Sequence, residues 1–216
     1  MINKKMWLLY INTRAMAMDL NFVNVVQFFS YISPLLLGFF MVMSSFFNGN
    51  IKGLVYLGGA MIAATIGLML RPIIGSAKDI NASGACDLFE MPFRYNMFNS
   101  PSLHSLFIAF TTAYLFMPMI TNDMMNYPVL ISLVVLFCVD AFTKTQGKCT
   151  TGLGVFVGGL MGVVLGLAYW AIFHYAGMKG VLYFEPEGSN NVVCNRPSRQ
   201  TFKCKVYKGG KLIGSL

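Results

Sequence analysis

Five apolar stretches divided by shorter polar connections constrain this chain more than any other feature. A helix needs roughly 20 apolar residues to cross the hydrocarbon core of a bilayer, about 30 Å thick. Phe22 to Phe47, Gly53 to Leu70, Leu103 to Ile120, Tyr127 to Phe142 and Gly152 to Ala176 meet or approach that length. Composition agrees: 56% of the 216 residues are hydrophobic and 11% are charged, whereas soluble domains carry roughly 25% charged residues. A water-soluble globule is excluded for want of polar surface. Disorder is excluded because so apolar and aromatic a chain is far from the polar, highly charged compositions that stay unfolded. The expected fold is an all-α polytopic membrane helix bundle over residues 22–176.

Within the spans, Pro34 is tolerable as a kink, because neighbouring helices can satisfy the carbonyl it frees. Asp140 falls in the short fourth stretch, so its carboxylate should face the bundle interior or sit near an interface. Residues 1–21 place Lys4 and Lys5 before a short apolar run, with Arg14 and Asp19 after it. The run is too short for a span and lacks a small-residue cleavage site, so the pattern predicts an amphipathic helix lying in the interface. Beyond Gly177 the character changes. Residues 177–191 include the turn-rich Glu185-Pro186-Glu187-Gly188-Ser189-Asn190-Asn191 and read as a linker. Residues 192–216 read as a basic extramembrane tail. In it Thr201 to Tyr207 alternate apolar and basic residues, Gly209-Gly210 suits a tight primed turn, and Leu212-Ile213 follow, which predicts a small β-hairpin. An ordinary solvated tail is the plainer alternative.

Alternation of the spans sorts the connections by face. Side A holds the N-terminus, the long loop Arg71 to Ser102 and the short loop Thr143 to Thr151; side B holds Asn48 to Lys52, Thr121 to Asn126 and the tail. Lysine and arginine counts near the spans favour side A in the cytoplasm, but cations that serve a site would mislead such a count. Sixteen Lys plus Arg against eight Asp plus Glu give a formal charge of +8, which suits an anionic lipid surface or an acidic partner. Nucleic acid is not expected, since no helix-turn-helix, zinc-finger or aromatic RNA-platform pattern accompanies the charge. The cysteines lack CxxC spacing and nearby histidines, so neither a metal site nor any other cofactor is expected.

Polar residues avoided elsewhere gather on side A: Arg71 and Lys78, Pro101-Ser102-Leu103-His104 at the head of the third stretch, Thr143-Lys144 at the end of the fourth, and Thr150 before the fifth. Fixed cations and helix N-terminal amides are what a phosphate requires, so these residues predict a phosphate-shaped pocket at the membrane surface. Their order and spacing resemble the type 2 phosphatidic acid phosphatases of the vanadium haloperoxidase-like superfamily, with motifs K-x6-R-P, P-S-G-H and S-R-x5-H-x3-D on one membrane face. The first motif stands here as Arg71 to Asp79, with its Lys and Arg exchanged and Asp79 where Pro is expected. The second keeps Ser102 and His104 but has Leu103 for Gly. In the third, Thr143-Lys144 replace Ser-Arg, Thr150 takes the position of the phosphate-attacking His, and Gly154 that of its orienting Asp. Gly154-Val155-Phe156-Val157-Gly158 and Gly162 continue the family frame.

The resemblance implies a degenerate member. Catalysis would need a His nucleophile held by a carboxylate; an unaided threonine hydroxyl is no substitute, although His104 could in principle act as its base. Arg71, Lys78, Ser102, His104 and Lys144 are the expected remnant of a phosphate or lipid-headgroup site, with geometry weakened where Lys, a point charge, replaces a planar guanidinium. Simpler readings compete. His104 could cap a helix and bond a carbonyl, the cations could snorkel to the interface, and Gly152, Gly154, Gly158, Gly159, Gly162 and Gly166 mark close helix packing. Asn81-Ala82-Ser83 is a glycosylation sequon; if it is used, side A is lumenal and Cys86 and Cys149 could pair there. The family's usual arrangement, motifs away from the cytoplasm and C-terminus inside, agrees with this. The tail sequence, short as it is, resembles those of phosphatase-like membrane proteins of large double-stranded DNA viruses. This implies a protein of a virion's internal membrane whose tail faces the capsid.

The resulting expectation is a non-catalytic structural protein that tethers membrane to a protein shell. Arg196, Arg199, Lys203, Lys205, Tyr207, Lys208 and Lys211 would contact a capsid or other structural protein through an exposed strand edge and complementary charge. The alternative is an active phosphatase acting on phosphatidate or a polyprenyl diphosphate. A transporter is disfavoured because Asp140 and His174 are nearly the only ionisable residues in the spans and neither has an evident partner in the sequence.

Overall fold

The computed structural model describes residues 21–79, 82, 86, 98–183, 205–208 and 211–215. The expected interfacial helix, most of the linker and the tail residues Arg196, Arg199 and Lys203 lie outside the described residues. Five long helices follow in order: α1 (Phe22–Phe47), α2 (Lys52–Ile74), α3 (Leu103–Thr121), α4 (Tyr127–Gln146) and α5 (Gly152–Tyr175). All five are long and apolar enough to cross a membrane. Their outer faces carry Phe22, Phe39, Phe40, Phe47, Ile73, Leu153 and Phe156 in exposed positions, a display that only a lipid or protein environment covers without penalty. The chain is an integral membrane bundle. A single 3₁₀ turn (Lys179–Val181) follows α5, after which Leu182 is buried and Tyr183 donates its O–H to Met41 O at 2.8 Å. The segment directly after α5 thus packs on the bundle. Residues 185–216 form a separate compact unit.

Helix α3 is the hub, with 67% of its most apolar window buried. Small residues on α5 let the two helices touch backbone to backbone. A Cβ at Gly158 would run into Ser102 O, one at Gly162 into Leu106 O, and one at Gly166 would sit 2.6 Å from Phe110 O. Gly158, Gly162 and Gly166 of the predicted stripe are therefore a packing seam, as the small-xxx-small pattern implies, whereas Gly152 of the same stripe stands in open space and Gly159 faces Phe137 of α4. Gly59 plays a similar part on α2, where a Cβ would meet the Tyr169 ring. That ring belongs to an aromatic cluster with Tyr56, Phe110 and Tyr114 in the half of the core away from side A. The Tyr56 hydroxyl is satisfied: Thr111 donates back to Phe107 O, so Tyr56 O–H donates to Thr111 Oγ1 at 2.6 Å.

Helix ends differ from the sequence expectation where charge was read as loop. Arg71 lies in the last turn of α2, which runs on through Pro72 to Ile74 before Gly75 closes it at φ 67°. Cations are favoured at helix C-termini by the backbone dipole, so the arginine extends the helix where it was expected to end it. Thr143 and Lys144 likewise belong to α4, which continues to Gln146. The carbonyl freed by Pro34 is met locally, by Ser33 Oγ donating to Ser30 O at 2.8 Å, and not by a neighbouring helix.

The α3–α5 seam predicts that Gly162→Leu prevents recovery of folded protein, while Gly162→Ala costs about 1–3 kcal/mol, the range for overpacking a filled contact. Gly152→Ala, at a position with open space around it, should leave stability unchanged. Thermal denaturation of the detergent-solubilised variants reads the difference.

Candidate anion pocket

The end of the bundle designated side A brings together α2's last turn, the start of α3, the end of α4 and the turn into α5. Ser102 is the N-cap of α3, accepting from Ser105 N and, at 3.0 Å, from Ser105 Oγ. Its own backbone N–H donates to Gly154 O at 3.0 Å, a contact that the glycine seam makes possible. Thr151 caps α5 by accepting from Gly154 N at 3.1 Å, and Thr150 precedes it. Between these ends and α1 lies a cavity of about 540 Å³. Arg71, Asn99, Ser102, His104, Lys144 and Thr150 line its polar part; Leu35, Phe39, Val42, Leu57 and Phe107 line its apolar part. Leu35 and Phe39 are also exposed on the outer surface, so the apolar part reaches the lipid-facing exterior beside α1.

Five of the residues singled out in the sequence thus share one cavity: Arg71, Ser102, His104, Lys144 and Thr150. Lys78 is half-buried and stands outside the lining. Arg71 and Lys144 do not snorkel. Arg71 is 2% exposed and Lys144 4%, which is the reverse of a cation reaching for solvent. Arg71 Nε donates to Pro101 O at 3.3 Å, and Lys144 Nζ lies 4.6 Å from the centroid of the Tyr31 ring. Arg71 thus contacts the residue before the α3 cap and Lys144 a ring within α1, while their charge lines the cavity.

Asp140 is the residue whose role the sequence concealed. It is fully buried, and its Oδ1 accepts from His104 Nδ1 at 3.2 Å. His104 accordingly meets a carboxylate, and the intramembrane acid has a partner after all. Ser30 of α1 shares its hydroxyl hydrogen between Asp140 Oδ1 at 3.3 Å and Thr143 Oγ1 at 2.5 Å, since Thr143 itself donates to Val139 O and Asp140 O. The carboxylate fixes the ring orientation and keeps the proton on Nδ1, so whatever chemistry His104 offers the cavity passes through Nε2.

Thr150 is placed differently from an activated nucleophile. Its Oγ1 donates to Asn99 O at 2.8 Å, which commits the hydroxyl hydrogen to a backbone carbonyl. A Cβ at Gly154 would run into Thr150 Oγ1. Position 154 therefore stands directly against the side chain at 150, the adjacency an orienting pair would require, although neither His nor Asp occupies it. Close by, Cys86 and Cys149 form a disulfide with Cα atoms 5.4 Å apart, joining the long side A loop to the turn between α4 and α5. Cys138 is a free thiol on the outer face. Among the described residues no group of His, Cys, Asp and Glu is arranged to hold a metal ion.

Removing one member of a buried pair leaves the other uncompensated. Asp140→Ala should lower the unfolding free energy by about 3 kcal/mol, whereas Asp140→Asn, which keeps an oxygen for His104 Nδ1–H, should cost much less. Thermal melting of the two variants side by side checks this. Comparison with protein-family models, with curated proteins and with solved structures finds no match to this chain, so the side chains of the cavity carry the functional reading by themselves.

Proposed function

We propose that this chain is a phosphatase-like membrane protein that holds the phosphate head of a membrane amphiphile without turning it over and works as a structural scaffold. The observation that carries the reading is the convergence of Arg71, Ser102, His104, Lys144 and Thr150 on a single cavity. Two cations line that cavity, and no carboxylate does so among the described residues. Fixed positive charge in a partly dry site favours a phosphate; the apolar part, open to the exterior beside α1, suits the chains of the same molecule. The commitment of the Thr150 hydroxyl to Asn99 O supports binding without the family's chemistry.

The scaffold role joins this pocket to the tail. An odd number of crossings carries the chain out on the face opposite side A, and the Cys86–Cys149 bridge fits a side A that faces an oxidising compartment. The tail then lies on the cytoplasm-derived face. There its lysines, arginines and strand edges would meet a shell of structural protein, as in the internal membrane of a large DNA virus. Deleting Val192 to Leu216 should abolish association with that shell and leave membrane insertion intact. Co-sedimentation of truncated and full-length protein with assembled shells measures it, and unchanged association would remove the tether from the reading.

One observation favours a second reading, that of an active lipid phosphatase. The His104–Asp140 pair has the form of a nucleophile with its orienting carboxylate, at a position other than the family's. The two readings part in a single assay. Purified protein incubated with phosphatidate and with a polyprenyl diphosphate should bind the former but release no phosphate from either above background. Release that disappears in His104→Ala and falls steeply in Asp140→Asn would establish the phosphatase instead.

A further inference from the structure

A covalent bond in the cavity wall lies next to one of the cavity's own cations. Cys86 and Cys149 both line the cavity together with Lys144. Tyr31 packs with these two cysteines in a small buried cluster separate from the main core. A disulfide sulfur carries no hydrogen, so in the 3.5 Å contact between Tyr31 Oη and Cys149 Sγ the phenol is the donor. The same phenol ring faces Lys144, whose Nζ lies 4.6 Å from its centroid, within cation–π reach. The backbone repeats the connection, with Cys149 N–H donating to Lys144 O at 2.9 Å. Disulfide, phenol and ammonium follow one another in a line that ends on the cavity.

We propose that the Cys86–Cys149 disulfide is a redox latch on anion capture: closed, it fixes Tyr31 and through it Lys144 where a phosphate head meets them; open, it lets that grip slacken. The inference rests on the reading of the cavity as a phosphate pocket. Opening requires a reductant, here a dithiol, which gives two electrons and two protons to the bridge. The S–S bond breaks, two thiols form, and the dithiol closes to its own disulfide. The two thiol sulfurs cannot stay at bonding distance, so they separate, and the wall they build moves with them. Tyr31 then loses the fixed acceptor for its hydroxyl. Lys144 is a point charge on a flexible four-carbon stem, and the Tyr31 ring it lies against is one of the contacts that set its place in the cavity. Tyr31 is accordingly a positioning residue, acting on the ligand through Lys144.

The test uses the full chain in phosphatidylcholine nanodiscs, with dioctanoyl phosphatidate as the probe, dioctanoylglycerol as the headless control and inorganic phosphate as competitor. Affinity is measured for the oxidised protein, after treatment with dithiothreitol, and after reoxidation, with thiol content read by mass spectrometry and folding by thermal melting. The expected result is phosphatidate binding that weakens roughly tenfold on reduction, the size of one well-placed cation contact, and returns on reoxidation. A Cys86→Ser/Cys149→Ser double variant should bind like the reduced protein and ignore the reductant. Tyr31→Phe, which keeps the ring and loses the donor, should bind more weakly than the oxidised protein and respond little to reduction; Tyr31→Leu should bind weakest. Equal affinity in the two redox states of folded protein overturns the latch and leaves the pocket standing. Failure of the oxidised protein to distinguish phosphatidate from dioctanoylglycerol overturns the pocket reading and the latch with it. Competition by inorganic phosphate identifies the head alone as the ligand; its absence, with phosphatidate still bound, shows that the chains are needed.

Discussion

The side A site depends on the close approach of α3 and α5. Helices normally keep 8–10 Å between axes because side chains intervene; the glycines at 158, 162 and 166 remove those side chains and set backbone against backbone. At its side A end the seam brings the head of α3 against the first turn of α5, so that Ser102 N–H reaches Gly154 O. Residues Ser102 and His104, and Thr150, nearly fifty positions later, are neighbours on that account. Displacing the seam by the width of one methyl group would separate the two halves of the cavity.

Within that frame the electrostatics of the cavity follow from which helix ends meet there. Arg71 and Lys144 occupy the last turns of α2 and α4, where the backbone dipole is negative. The heads of α3 and α5, with positive dipole ends, close the same space. The Arg71 and Lys144 side chains and the heads of α3 and α5 favour an anion, against the negative dipole ends of α2 and α4 on which the two cations sit. Asp140 offsets part of the positive charge from below the cavity and does so through His104, one step removed from the space a ligand would fill. Burying a carboxylate is expensive unless it is hydrogen-bonded; Ser30 and His104, from two other helices, both bond Oδ1, while the buried Oδ2 has no hydrogen-bond partner among the described residues.

The spans were legible because their signal is local and repeated: each apolar run is read within itself, and α1 begins and ends at Phe22 and Phe47 as its hydropathy dictates. Ends were less legible where a residue answers to two demands. Arg71 breaks the apolar run and so reads as loop, yet the dipole and Pro101 O hold it in the helix. The cavity was legible in part, since Arg71, Ser102, His104, Lys144 and Thr150 sit at a recognisable spacing. The His104–Asp140 pair was not, because its members lie 36 positions apart on different helices, at no spacing that encodes their contact. An intramembrane carboxylate was a sufficient signal that a partner existed, and the only described histidine on side A was the natural candidate. The motif spacing pointed to position 154 instead, where this chain has glycine.

Persistence of the cavity does not by itself argue for turnover, because each of its cations also has structural work. Lys144 fills space over Tyr31, and Arg71 ties α2 to the residue before the α3 cap. Substituting either would leave a gap or an unmet carbonyl in a tightly packed bundle end, with a stability cost independent of any substrate. Position 150 carries no cation. Threonine at 150 bonds Asn99 O as a simple structural hydroxyl does, and glycine at 154 spares that threonine a collision. The cations of such a bundle end are held by packing whether or not any reaction takes place beside them. The cations therefore bear on what the cavity holds, and only the groups at 104, 140 and 150 bear on whether it reacts.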